Sequence, residues 1–197
     1  MDFEIIWDDD EMEALNALAK ILLKENEAEW QAFQATLANP DLQLTNEDDD
    51  YFEVAEDTLE DTEGDLTSGV LSEIFVSILQ YEGIIESIDW KGEMGEGQLA
   101  RFAAERYEEL TNNSNRSELE ALLIKLTSEA EMEKVCDTSK VHIDIIFERI
   151  QDQLSKYGLV LAHLFDGNDC YNVFVINKND FIKLQNIDSE YLTVQAC

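Results

Sequence analysis

Positive charge is scarce in this chain: 13 Lys and Arg stand against 45 Asp and Glu, and the formal net charge is −32. Such a field repels nucleic-acid backbones and anionic membranes alike, so no nucleic acid and no membrane is expected as a partner. Cysteine is scarce too. Cys136, Cys170 and Cys197 are an odd number without CxxC spacing, a set that suits neither a disulfide scaffold nor a thiolate zinc site and fits a reducing, cytoplasmic compartment. No window reaches the roughly 18 apolar residues of a membrane span. The opening Met1, Asp2, Phe3, Glu4 lacks the basic and apolar parts of a secretory signal. The phosphate-binding patterns GxGxxG and GxxxxGK[ST], the GxSxG elbow and a cysteine-protease signature are all missing, and no cofactor is expected.

What is present suffices for a folded body. In 197 residues, 45% are hydrophobic, enough for the core of a single domain over 1–197. The charge is unevenly placed. Residues 1–65 hold 22 acids and 2 bases, residues 66–138 hold 15 and 6, and residues 139–197 hold 8 and 5. The first third therefore dominates a field that would steer a basic partner at long range and weaken with salt.

Asp8, Asp9 and Asp10 can cap a helix whose Met12, Leu15, Leu18, Leu22 and Leu23 share a face. Trp30, Phe33 and Leu37 resume the stripe as far as Asn39 and Pro40, which predicts two consecutive helices or one bent helix. Residues 45–66, beginning around the NEDDD run of Asn46 to Asp50, are so acidic that self-repulsion predicts an extended, mobile loop, with Tyr51 and Phe52 available to tuck against the body. From Thr67 or Ser68, Val70, Leu71, Ile74, Phe75, Ile78 and Leu79 mark a buried helix ending at Gly83. A strand over 84–90 runs to a turn at Lys91 and Gly92. Helical period returns with Leu99, Phe102, Tyr107 and Leu110, ended by Asn112 and Asn113, again from Ser117 to Leu126, and again from Ser139 to Tyr157, closed by Gly158. Strands at 159–165 and 170–176 form a hairpin across Asp166, Gly167, Asn168 and Asp169. A short helix over Asn179 to Ile187 and a strand at 191–194 complete an α+β fold: a small, mainly antiparallel sheet packed against about six helices.

The hairpin GLVLAHLFDGNDCYNVFVI, Gly158 to Ile176, resembles the most recognisable part of an uncharacterised bacterial domain family of unknown function. The IDWKGE stretch, Ile88 to Glu93, and the leading helix ending at Asn39 and Pro40 are similar in placement to other landmarks of that family. Where its members carry an Asp-Ser-Asp-x-Tyr turn, this chain has Gly167, Asn168, Asp169, Cys170 and Tyr171, matching at Asp169 and Tyr171. The resemblance implies a fold and no activity.

Chemistry-bearing residues are few. The turn DGNDCYN has the spaced oxygens of a calcium loop, but Tyr171 and Asn177 occupy the positions where an EF-hand needs Gly and Glu. His163, Asp166, Asp169 and Cys170, with His142 at a distance, mix zinc-ligand types. Alternation along a strand instead sets His163 on the face of Leu161 and Phe165 and makes Cys170 a packed small residue. A Cys–His pair could arise only through the fold. Trp30 reads as core, whereas Trp7 and Trp90 flank acidic or charged turns and are candidates for partner contact.

The expected function is that of an acidic interaction protein, such as an immunity-type inhibitor masking a basic protein partner, through Trp7, Asp8, Asp9, Asp10, Asp48, Asp49, Asp50, Tyr51 and Trp90. Two readings compete with it: a metal-dependent or other hydrolase using carboxylates and His163, and a housekeeping protein of a salt-adapted organism whose acidity serves solubility. No catalytic residue is singled out, so the balance falls against an enzyme. The pattern accommodates a monomer and a homodimer equally.

Overall fold

The computed structural model describes residues 4–39, 50–62, 65–89, 97–136 and 142–197. Its contacts group into two compact units, Met1–Ile84 with Asn186–Thr193, and Ile85–Gln185 with Val194–Cys197. Among the described residues there are eight α-helices, a two-stranded parallel ladder and a four-stranded sheet, an α+β fold. The helices outnumber the six expected from sequence.

The first unit opens with strand β1 (Glu4–Ile6) and helix α1 (Asp9–Leu22). Asp8 is the N-cap, its carboxylate accepting from the amides of Asp10 and Glu11 at 2.9 and 3.2 Å. Lys24, at a φ of 49°, starts a 3-10 turn that separates α1 from α2 (Glu27–Leu37), so the bipartite stripe is two helices. Leu15, Leu18, Trp30, Phe33 and Leu37 are buried along that stripe. The Trp30 ring lies 4.9 Å from that of Phe75, and its Nε1 donates to Asn16 Oδ1 at 3.1 Å, satisfying the one polar atom of a large buried ring.

Helix α3 (Asp50–Asp61) and strand β2 (Asp65–Thr67) correct the loop expected over 45–66. Residues 46–49 of the NEDDD run lie outside the described residues. The physical reason is a sparse but regular stripe: Tyr51, Ala55 and Leu59, four residues apart, are all buried, while six acids face outward. Three buried contacts at helical spacing prevail over self-repulsion, since packing of one face supplies most of the stability of a helix. Phe52 joins them, its ring 5.0 Å from Phe33. β2 pairs in parallel with β1, Ile5 opposite Leu66, a ladder that three-residue strands do not announce in sequence. Thr67 then caps α4 (Ser68–Tyr81), its hydroxyl accepting from the Val70 amide, and Gly83 ends the run with a φ of 65°.

In the second unit, β3 (Ile85–Asp89), α5 (Gln98–Thr111), α6 (Arg116–Cys136), α7 (His142–Leu154), β4 (Leu159–Phe165), β5 (Cys170–Asn177) and α8 (Lys178–Leu184) follow in order, with β6 (Thr193–Ala196) last. The strand order is β3-β5-β4-β6. β5 is antiparallel to both neighbours, with Leu161 opposite Val175 and Ile88 opposite Tyr171. The final strand begins at Thr193 rather than 191, because Ser189 forms a turn whose hydroxyl accepts from the amides of Tyr191 and Leu192. Leu99, Ala103, Tyr107, Leu123, Ile146, Ile150 and Leu154 meet Leu161, Val173 and Val175 in one core. Asn112 and Gly158, with φ of 54° and 73°, close the α5 and α7 segments where the sequence placed their ends. The turn at Lys91 and Gly92 and the start of the helix expected from Ser139 lie outside the described residues. Among the described residues, no helix is long and apolar enough to cross a membrane.

Candidate functional site

The residues expected to meet a partner fall mainly in the first unit. Trp7 is part-exposed, and its ring Nε1 is buried without a hydrogen-bond partner among the described residues. Asp8 is committed to the α1 cap, and its own amide donates to Ser68 Oγ at 2.8 Å. Asp9 and Asp10, in the first turn of α1, are exposed and favoured there by the helix dipole. Asp50 is exposed at the start of α3. Tyr51 is not available: it is 2% exposed, and its hydroxyl donates to Glu82 Oε1 at 2.8 Å. Its ring packs edge-on against Phe33 and Tyr81, so it belongs to the core. Asp48, Asp49 and Trp90 lie outside the described residues.

The outward side of α3 is the most acidic element described. Asp50, Glu53, Glu56, Asp57, Glu60 and Asp61 are all exposed, and the helix contains no base. Beside it stands a residue that the linear pattern did not single out. Tyr81, at the end of α4, is 55% exposed and donates its hydroxyl to Asp50 Oδ2 at 3.2 Å. The charge of Asp50 and the hydrogen bond to it raise the Tyr81 phenol above its ordinary value, with burial, Glu82 and Glu53 adding smaller pushes in the same direction. An aromatic face among carboxylates attracts cations by its quadrupole and by the surrounding charge. The only sequence signal for it is a Tyr that ends an otherwise buried helical stripe.

The ligand-type residues of the second unit do not converge. Among the described residues, no three His, Cys, Asp or Glu side chains are arranged to hold a metal ion. Asp166 anchors its own turn, accepting from the Asn168 amide at 3.0 Å and from the Asn172 side chain at 2.9 Å. Asp169 is exposed. Cys170, expected to pack, is exposed at the first position of β5. It is the last paired position of the β3–β5 ladder, opposite Asp89, next to the exposed turn residues Gly167, Asn168 and Asp169.

His163 has other company. Its Nδ1 lies 3.8 Å from Cys197 Sγ, and its ring meets Tyr171 edge-on at 5.7 Å. The fold thus forms a Cys–His pair from residues 34 apart, yet the surroundings oppose an activated thiolate. Burial, helped by the negative charge of Asp144, pushes the Cys197 thiol up to about 12. Burial also lowers the pKa of His163, leaving a neutral thiol beside a neutral imidazole. A nucleophilic pair needs the opposite bias.

Fold and surface together define an α+β protein with a strongly acidic N-terminal unit and no assembled catalytic constellation among the described residues. The chain belongs to the family described as a domain of unknown function, DUF6630, whose model matches residues 14–191. No curated protein and no solved structure matches it.

Proposed function

We propose that this chain is an acidic interaction protein whose N-terminal unit docks a basic protein partner, as an immunity-type inhibitor does when it masks a cationic surface. The observation that supports this reading is the concentration of charge. Residues 1–84 and 186–193 carry 26 acids and 2 bases, whereas the rest of the chain carries 19 and 11. Acidity serving only as a solvating shell gives no reason for the bases to be withheld from one unit. On contact, Arg and Lys side chains of the partner would sit among the outward carboxylates of α3 and over the exposed ring of Tyr81.

The test compares the tagged chain with a variant neutralised on α3 by Asp50→Asn, Glu53→Gln, Asp57→Asn and Glu60→Gln. Proteins retained from cells that naturally encode the chain are identified at about 50 mM and about 500 mM salt, conditions that move the Debye length from roughly 14 to 4 Å. Any retained protein is then purified and titrated by calorimetry. A basic protein held by the native chain at low salt, released at high salt and bound at least tenfold more weakly by the variant supports the proposal. Equal binding to both chains refutes it.

A further inference from the structure

Glu11 is a buried carboxylate, 5% exposed, in the first turn of α1. It sits three residues after the Asp8 cap, the position from which a Glu ordinarily reaches back to the amide of the cap residue. That amide is already taken, because Asp8 donates it to Ser68 Oγ. Glu11 turns instead to a segment 178 residues away: the Ser189 hydroxyl donates to its Oε1, and the Glu190 amide donates to its Oε2 at 2.9 Å. The Ser189 oxygen in turn accepts from the Leu192 amide at 2.9 Å, so one carboxylate organises the whole turn. The positive end of the α1 dipole and these two donors stabilise a charge that burial would otherwise penalise.

We infer that Asn186–Thr193 is a releasable strap across the N-terminal unit and that Glu11 is its catch. Most of the strap's side chains are exposed. Leu192 is its one fully buried apolar side chain; Asn186, Asp188, Glu190, Tyr191 and Thr193 are exposed. Tyr191 lies over Gly69 at the start of α4, where an added Cβ would come within 3.1 Å of the ring. A segment with one buried anchor opens at lower free energy than a helix such as α4, whose Leu71, Ile74, Phe75, Ile78 and Leu79 are all fully buried. Opening would uncover Gly69 and bring the Glu11 carboxylate into water beside Asp9 and Asp10. The inference does not depend on the proposed partner.

Hydrogen exchange on the full chain, read by peptide mass spectrometry, tests it. In the native protein the amides of 189–192 should exchange at least tenfold faster than those of 74–78. Glu11→Ala should accelerate 189–192 by a further tenfold or more and leave the β4 and β5 peptides unchanged. Ser189→Ala, which removes one of the two donors and the turn's own acceptor, should accelerate the same amides by a smaller factor and keeps the question open should Glu11→Ala fail to fold. Strap and α4 amides exchanging at one common rate in the native protein would overturn the inference, as would strap amides indifferent to both substitutions.

Discussion

Asp57→Lys should stabilise the protein, and the size of the gain reports whether α3 is a helix in solution. In α3, Asp57 lies one turn after Glu53 and one turn before Glu60 and Asp61, and all four side chains are exposed. Each such like-charge pair costs a helix about 0.2–0.5 kcal/mol, and reversing one member turns the cost into a gain of similar size. Three pairs swing together, so the substitution is worth roughly 1–3 kcal/mol at low salt, with a small addition from a cation in the C-terminal half of the helix. The control is Glu73→Lys on α4, which makes the same change in net charge at an exposed site whose helical neighbours Gly69, Val70, Val76 and Ser77 carry no charge. Urea unfolding followed by Trp fluorescence and far-UV dichroism, at about 20 mM and about 1 M NaCl, provides the measurement. Asp57→Lys should exceed Glu73→Lys at low salt by most of that amount, and the difference should fall by more than half at 1 M, where the Debye length is about 3 Å. Equal gains from the two substitutions would mean that only net charge matters and that 50–61 is not held as a helix.

Further outcomes follow from Asn172, Cys197 and His163 in the second unit. Asn172 is 2% exposed, accepts from Ser87 Oγ at 2.6 Å and donates to Asp166 at 2.9 Å, so Asn172→Ala should lose about 1–3 kcal/mol in urea unfolding by removing a hydrogen bond to each of these two neighbours. Cys197 should resist alkylation at pH 8 while exposed Cys170 reacts readily, a contrast readable by mass spectrometry in a Cys136→Ser background; fast labelling of Cys197 would refute its burial. Because the native thiol binds its proton more tightly than the ordinary value of 9.0, that contribution to stability is complete below pH 9 and is lost as the pH climbs through 9 to about 12. His163 has the opposite sign: its lowered pKa means that stability falls as the pH drops below the ordinary 6.5, and its imidazole resonances in NMR should titrate below that value.

Local signals carried much of this architecture. Caps at Asp8 and Thr67, the left-handed residues Asn112 and Gly158, and the apolar stripe of α4 each act within a few residues, and the helix ends stand where they point. The β4–β5 hairpin was equally legible, because alternating apolar residues around an Asp-Gly-Asn-Asp turn set the register by turn length. The sequence also determined by composition alone that one end of the chain would repel anions.

Tertiary structure decided what composition had hidden. Residues 50–61 look like a solvated coil because acids outnumber apolar residues; only the core that receives Tyr51, Ala55 and Leu59 makes them a helix, and it takes Tyr51 out of the surface at the same time. The encounters of Tyr81 with Asp50, His163 with Cys197, and Glu11 with Ser189 join residues 31, 34 and 178 positions apart. No periodicity encodes such meetings. They arise because chain segments remote in sequence share one folded unit, where burial and hydrogen-bond satisfaction select the neighbours.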